Sequence, residues 1–406
     1  MVTNTIEAFL ILGLGFLGAQ IVAHLVRRLL PIYGSVFFLT LGIVAGPLVM
    51  DVLSHEVLET SHWVISLLLA WVGLEVGLGL TVRRDGGLTE GAVRMGFIYG
   101  LVTLAILGAS SYALVVYGFP EVFGKATPGL VAAAVAAAGL TGSPFVLRFV
   151  ASRLRASGPV RESGESLVRV VRVVALLAFG IALAFPDRPV PSGFRALAPA
   201  EWFLAELLMG LTIGLVADAF VGDEPDDRRL VLILMGVTLL STGLAVVLGL
   251  SPLVVSLAVG LTLANFGQRA APRHQVATAL EQPTLALLLV FAGASVSSLD
   301  NWQLFLVALV LLAIRLATLG IAGIVAARAI DPESGTLRRL GFVGVGQGAP
   351  AIAIALTYTL AEWSPGSDAI LVIVLVSVVL NDLWATPSAR VVLDEAGEIP
   401  TLATEV

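Results

Sequence analysis

Two arginines, Arg169 and Arg172, lie within an otherwise apolar run, residues 166–185. A run of that length crosses a bilayer, and a fixed charge inside it is costly unless it meets a partner or a wet cavity. Arginine cannot shed its proton to escape the cost. Glu165 precedes Arg169 by four residues, so Glu165, Arg169 and Arg172 share one helical face. Arg169 enters only a few residues into the run, where it can snorkel to the surface or pair with Glu165 or Glu162. Arg172 lies almost a full turn deeper and is expected to face a polar path through the membrane.

Two further segments offer oxygen chemistry. In Gly139-Leu-Thr-Gly-Ser-Pro144 and Gly344-Val-Gly-Gln-Gly-Ala-Pro350, glycine and proline should break an apolar helix. The expected break points are Gly142 with Pro144 and Gly348 with Pro350. Broken helix ends at mid-membrane carry partial charges. Unwound carbonyls, together with Thr141, Ser143 and Gln347, would supply oxygen ligands for a hard, partly dehydrated cation. The plainer reading is a pair of kinks whose hydroxyls bond their own backbone. Other ionisable groups have weaker claims. Asp382 follows Asn381 in the last apolar run and is either a carboxylate of the path or a cap near Pro387. Glu75 is expected to pair with an arginine. Glu206 and Asp218 are expected to reach the interfaces, and His24 to pack or lie at an interface.

The elements that must position these groups are membrane helices. Hydrophobic residues make up 58% of the chain and charged residues 13%, with a mean hydropathy of +0.99. Apolar stretches near bilayer length recur from end to end, so the fold class is an all-α polytopic membrane protein. Cysteine is absent, which removes disulfides and thiolate metal sites. No metal-ligand cluster, scattered Ser and His, and no Gly-rich strand-to-helix loop leave no enzyme, cofactor or nucleic-acid reading. Thirteen spans are expected: 6–29, 32–52, 62–82, 96–118, 127–150, 166–185, 203–221, 229–250, 252–268, 281–299, 303–328, 337–361 and 368–388. The first is read as a retained span, since no basic region precedes it. Of the loop and end charges, 17 arginines fall on one side and only Lys125, Arg188 and Arg195 on the other. The positive-inside rule then puts the N-terminus outside and a short tail, 391–406, in the cytoplasm.

The halves of the chain resemble each other. Leu67–Val76 lies over Leu287–Val296, Leu41-Gly-Ile43 over Val259-Gly-Leu261, and Gly142-Ser-Pro144 over Gly348-Ala-Pro350. The offset is seven spans, so the copies have opposite topology, the pattern of many secondary transporters. Residues 1–185 form the first repeat, 186–228 a linker helix and 229–390 the second, within one membrane domain over 1–406.

The order of these motifs resembles the monovalent cation:proton antiporter superfamily, the sodium/proton exchanger fold. Tyr33–Pro47 is similar to its second-span pattern ending in Gly-Pro, Trp71-Val-Gly-Leu-Glu75 to the segment that follows, and Gly249–Asn265 to the opening of the second half. Gly164-Glu-Ser-Leu167 resembles the start of the run Gly-Glu-Ser-Leu-Leu-Asn-Asp. The resemblance implies two crossed broken helices in a six-helix core, an elevator-type motion against a dimerisation domain, a homodimer, and exchange of protons for Na⁺ or K⁺ across the plasma membrane. It places a basic residue at Arg315, where it would neutralise a broken-helix end. It also implies an acid in the sixth span, but there the matching positions hold Arg169 and Val170, or Arg172 under the other alignment. Gly142-Ser143-Pro144 stands where Thr-Asp-Pro is frequent. The alternatives left open are an anion or other solute held by an arginine-centred site without proton coupling, and a membrane sensor or scaffold that does not transport.

Overall fold

A computed structural model describes residues 34–81, 88, 90–124, 126–185, 197–221, 226–266, 270–297, 301–330, 337–361 and 365–400. Among them the chain is helical, with no strand. The principal helices are α1 (Gly34–Ala45), α2 (His62–Leu78), α3 (Glu90–Ala113), α4 (Pro128–Leu140), α5 (Pro144–Leu154), α6 (Pro159–Leu183) and α7 (Pro199–Val221). The second half holds α8 (Asp227–Val247), α9 (Pro252–Asn265), α10 (Ala270–Ala279), α11 (Glu281–Ala294), α12 (Trp302–Ile330), α13 (Ala349–Ala361) and α14 (Pro365–Glu395). Short helices at His55–Thr60 and Pro120–Phe123 join neighbours, and a 3₁₀ segment, Leu337–Gly344, leads towards α13.

Among the described residues seven helical stretches are long and apolar enough to cross a bilayer, and the α10–α11 pair, bent by 43° at its break, makes an eighth if it is taken as one span. The expected first span lies outside the described residues, and each of the other twelve coincides with helix. One boundary differs in a way that matters. The tenth span, expected from 281, begins at Ala270. Gln268–Arg273 looks like a cytoplasmic loop, yet Arg273 is 1% exposed and donates to Asp218 at 2.7 Å and to the Leu263 carbonyl at 3.1 Å. A charge neutralised in place no longer has to reach water. The shift carries Glu281 eleven residues into the span.

Both expected helix breaks are present. α4 stops at Leu140 because Pro144 lacks an N–H and its ring would strike the preceding turn. Thr141 and Ser143 are extended, and helix restarts with Pro144 in the first turn of α5. Val345–Gly348 separates the 3₁₀ segment from α13 in the same manner. The two unwound segments cross, with the Ser143 N–H donating to the Gly346 carbonyl at 2.8 Å. A Cβ on Gly142 would stand 3.2 Å from the Gly344 Cα, so a larger residue there would press on the crossing.

The same glycines that align the two halves bring the outer helices into contact. A side chain on Gly42 would run into the Val290 carbonyl, and one on Gly293 into the Leu39 carbonyl, where α1 meets α11. Gly260 faces the Leu74 carbonyl and Gly73 the Leu253 carbonyl, where α2 meets α9. Gly42 aligns with Gly260, and Gly73 with Gly293, so the two pairings are counterparts in the inverted repeat. Small residues let membrane helices approach backbone to backbone, where dispersion replaces the missing hydrophobic drive. α8 ends through Gly249 at φ +66°, and Pro252 opens α9. Glu206, expected at an interface, is 0% exposed, and its Oε1 accepts the Ser251 N–H at 3.0 Å. It thereby satisfies a donor at the start of α9 that the helix cannot.

Packing divides the helices into two bundles. A crossing bundle contains both breaks: α3 to α6, α12, the 3₁₀ segment, α13 and α14. A flanking bundle contains α1, α2 and α7 to α11. The largest apolar cluster runs between them, with Leu69, Leu257 and Leu289 on one side and Leu176, Ile352 and Leu371 on the other. Outward faces of α7, α8 and α12 expose Leu204, Leu208, Leu232, Leu239 and Leu309, as lipid contact requires.

Candidate functional site

The crossing is held by one guanidinium. Arg315, on α12 and 2% exposed, donates from Nε to the Gly139 carbonyl at 2.6 Å. Its two terminal nitrogens reach the carbonyls of Thr141 (3.2 Å), Gly344 (2.9 Å) and Val345 (2.9 Å), and Asn381 Oδ1 (2.8 Å). Helices end with four carbonyls unpaired, and their dipoles place negative charge there. One planar, permanently charged fork therefore serves the C-terminal ends of both broken elements. Tyr99 Oη adds a bond to the Gly341 carbonyl at 3.0 Å.

Around that fork the amides are hydrogen-bonded to one another and to the backbone. Gln347 Nε2 donates to the Ala138 carbonyl, and its Oε1 accepts from Ser377 at 2.9 Å and Asn381 at 3.0 Å. Thr141 donates its hydroxyl to the Ala138 carbonyl at 2.7 Å, which leaves only lone pairs for another ligand. Ser143 is 6% exposed and lies within a contact of Gly348. Asp382 makes no hydrogen bond to this network among the described residues, and Ser35 of α1 is its side-chain neighbour. Helix α14 continues through Pro387 to Glu395, so Asp382 is mid-helix rather than a terminal cap.

The second polar centre lies between the bundles. Arg172 (α6) meets Glu75 (α2) side by side, with Nη1–Oε1 at 3.1 Å and Nη2–Oε2 at 2.7 Å; both side chains are 3% exposed. Two parallel charge-assisted bonds fix orientation as well as charge. A second carboxylate, Glu281 at the start of α11, stands 3.5 Å from Arg172 Nη2. Its other oxygen lies 3.6 Å from Arg148 of α5. Two arginines of the crossing bundle thus face two glutamates of the flanking bundle, with no net charge. At this centre Arg172 Nε, Glu281 Oε2 and His274 Nδ1 are buried without a hydrogen-bond partner among the described residues.

Arg169 does not join this cluster. It and Arg161 bracket Glu165 one turn to either side, at 3.6 and 3.2 Å, and the Arg169 side chain is 30% exposed. The shared face read from the sequence therefore splits, Glu165 with Arg161 and Arg169, and Arg172 turned to α2. At the start of α6 the Glu398 carboxylate accepts the N–H groups of Val160 (2.6 Å) and Arg161 (3.1 Å). A residue 238 positions away in sequence thereby caps the helix that carries Arg172.

Sequence reasoning missed Glu281, Arg148, Asn381, Ser377 and Glu398. Glu281 was hidden by the boundary drawn at 281, and Arg148 was counted as a loop charge. Among the described residues no three His, Asp or Glu side chains gather into a metal cage.

An inverted repeat whose two interrupted helices cross at mid-span around a buried arginine defines the secondary-transporter class with the antiporter fold. Chain comparison agrees. Residues 13–390 match the family described as "Sodium/hydrogen exchanger, transmembrane", and the protein belongs to that family. Among solved structures, it is similar to the sodium proton antiporter MjNhaP1 from Methanocaldococcus jannaschii at pH 8, with a TM-score of 0.69, 17% identity, and 96% of this chain and 99% of that one covered. An electron-microscopy structure of the same antiporter gives a TM-score of 0.64 at 17% identity, covering 96% and 98%. The comparison with curated protein sequences returned no match.

Proposed function

We propose that the protein is a secondary active transporter that exchanges a monovalent cation, Na⁺ or K⁺, for protons by elevator-type alternating access. The observation that carries this reading is the crossing itself. Two helix ends stop in mid-membrane, and Arg315 neutralises their carbonyls, which leaves a polar, unwound segment where an ion can shed part of its water. In this reading Thr141, Ser143, Gln347, Arg169, Arg172 and Asp382 lie along or beside the ion path, with Glu75, Glu165 and Arg315 as supporting charges. The crossing bundle moves as a body against the flanking bundle, and two copies assemble through their flanking bundles in the plasma membrane. The 1–185 and 229–390 repeats supply equivalent halves of the site, joined by 186–228.

The anion reading is weaker because the charge cluster is already balanced. Arg172 is occupied by Glu75, so no excess positive charge remains there to hold an anion. The test is a proteoliposome assay with an entrapped pH-sensitive dye. Adding Na⁺, K⁺ or Li⁺ to vesicles holding a preset proton gradient should dissipate it for one or more of these cations. A folded protein that dissipates it for none ends the antiport reading.

A further inference from the structure

We propose that Glu281 is the proton-carrying carboxylate of this transporter, set on the flanking bundle opposite Arg172 instead of on α6. The proposal rests on the antiport reading and names its proton site. It begins with an asymmetry between two carboxylates that share one arginine. Glu75 fills the Arg172 fork with two short, parallel hydrogen bonds. Among the described residues Glu281 accepts no hydrogen bond, and its ion pairs are both long, 3.5 Å to Arg172 and 3.6 Å to Arg148.

Of the two, Glu281 is therefore the carboxylate whose charge is held less firmly, although it is 5% exposed. A buried anion without hydrogen bonds is costly, whereas its neutral acid is far less so. A proton from the aqueous phase adds to a carboxylate oxygen, and no other bond forms or breaks. Arg172 then stays paired with Glu75. Arg148, 31% exposed on its own side chain, can turn to water. A metal ion is a poor rival at the same oxygen, because two guanidinium groups already stand within 4 Å of this carboxylate.

The charged and titratable neighbours are few. Glu75 comes from α2, Arg148 from α5, Arg169 and Arg172 from α6, and His274 from α10. The packed helices α1 and α13 contribute no charged residue. Protonation also has a mechanical consequence, since both ion pairs of Glu281 cross from one bundle to the other. Neutral Glu281 removes two of the three charge contacts of the cluster that tie the bundles together.

The test uses wild-type protein in vesicles and dicyclohexylcarbodiimide, which modifies protonated carboxyls in apolar surroundings. Peptide mapping by mass spectrometry should find the adduct on Glu281, increasing as the pH is lowered, with Glu75 unmodified. An adduct on Asp382 or Glu75 instead, or none on Glu281 at any pH, overturns the proposal. Proton flux in the dye assay supplies the second readout. Glu281→Gln should lose cation-driven proton flux and Glu281→Asp should keep it. Retention of wild-type flux and pH profile in Glu281→Gln overturns the proposal while antiport stands. If wild type exchanges no cation for protons, the antiport reading fails, and the labelling still decides whether Glu281 takes a proton. Should Glu281→Gln fail to fold, labelling of the wild-type protein is the deciding measurement.

Discussion

Replacing either member of the Arg172–Glu75 pair should be costly, and replacing both should not. Breaking a buried ion pair by removing one partner costs about 3–5 kcal/mol, because the other charge stays buried and uncompensated. The two single changes are not equivalent here. In Glu75→Leu the guanidinium keeps Glu281 at 3.5 Å, so its loss should sit near the lower end, about 3 kcal/mol. In Arg172→Met two carboxylates face each other with only the partly exposed Arg148 to offset them, so the loss should approach about 5 kcal/mol. The double variant, Glu75→Leu with Arg172→Met, removes the desolvation cost of both groups and fills the gap with apolar atoms. It should lie within about 2 kcal/mol of wild type, as apolar replacements of buried ion pairs do elsewhere.

The corresponding coupling energy, several kcal/mol in favour of the pair, is the quantity to measure. Equilibrium unfolding in mixed micelles, followed by helical circular dichroism across the four proteins of the cycle, would give it. Additive single effects, with no coupling beyond about 0.5 kcal/mol, would refute the pairing as the reason for the buried arginine. A milder Arg172→Met than Glu75→Leu would refute two ionised carboxylates facing each other in that variant.

Arg315→Lys keeps the charge but cannot reach four carbonyls and an amide at once, so it should unfold at lower temperature by at least the ~1.5–3 kcal/mol of one charged hydrogen bond and lose flux. A lysine variant with wild-type melting would show that charge alone suffices. Gly260→Ala forces a methyl into the Leu74 carbonyl, where α2 and α9 meet backbone to backbone. Overpacking costs about 1–3 kcal/mol even where side chains can yield, so the variant should show a lower melting temperature than Gly236→Ala, where a Cβ meets open space. Glu398→Ala removes the carboxylate cap of α6 and should cost about 1 kcal/mol, seen as faster hydrogen exchange at Val160 and Arg161 while mid-helix amides are unchanged.

What could be read from the chain beforehand follows from where each signal resides. Pro144, Pro350 and their neighbouring glycines act on their own backbone, so both breaks are visible as local chemistry. The glycines that align the two repeats were visible too, though not their purpose, since close approach of α2 to α9 is a tertiary fact. Arg172 announced itself because an unpaired charge in an apolar run has no local explanation. Its partner did not. Glu281 stands in the run Ala279-Leu280-Glu281-Gln282-Pro283, where a carboxylate, an amide and a proline read as the edge of a span. Upstream of it lies α10, whose Arg273 is neutralised by Asp218 on α7, a pairing between residues 55 positions apart. Glu398 was equally invisible, as nothing near it indicates that it ends at the start of α6.

The placement of the charges constrains how such a protein can move. Arg315 binds only atoms of its own bundle, so its network can travel intact with the crossing. The carboxylate partners of Arg172 and Arg148 all lie on the other bundle, so every charge contact in that cluster would be lost or exchanged if the bundles slid past one another. A buried pair that must break on each cycle would be a barrier of several kcal/mol if nothing took its place. A second glutamate eases this problem for Arg172, because its guanidinium on leaving Glu75 has Glu281 within 4 Å. Neutralising one glutamate lowers the barrier on that side alone. An arginine on α6, where the resemblance implies an acid, is then compatible with the proposed transport, provided the titrating group sits across the interface and not on α6.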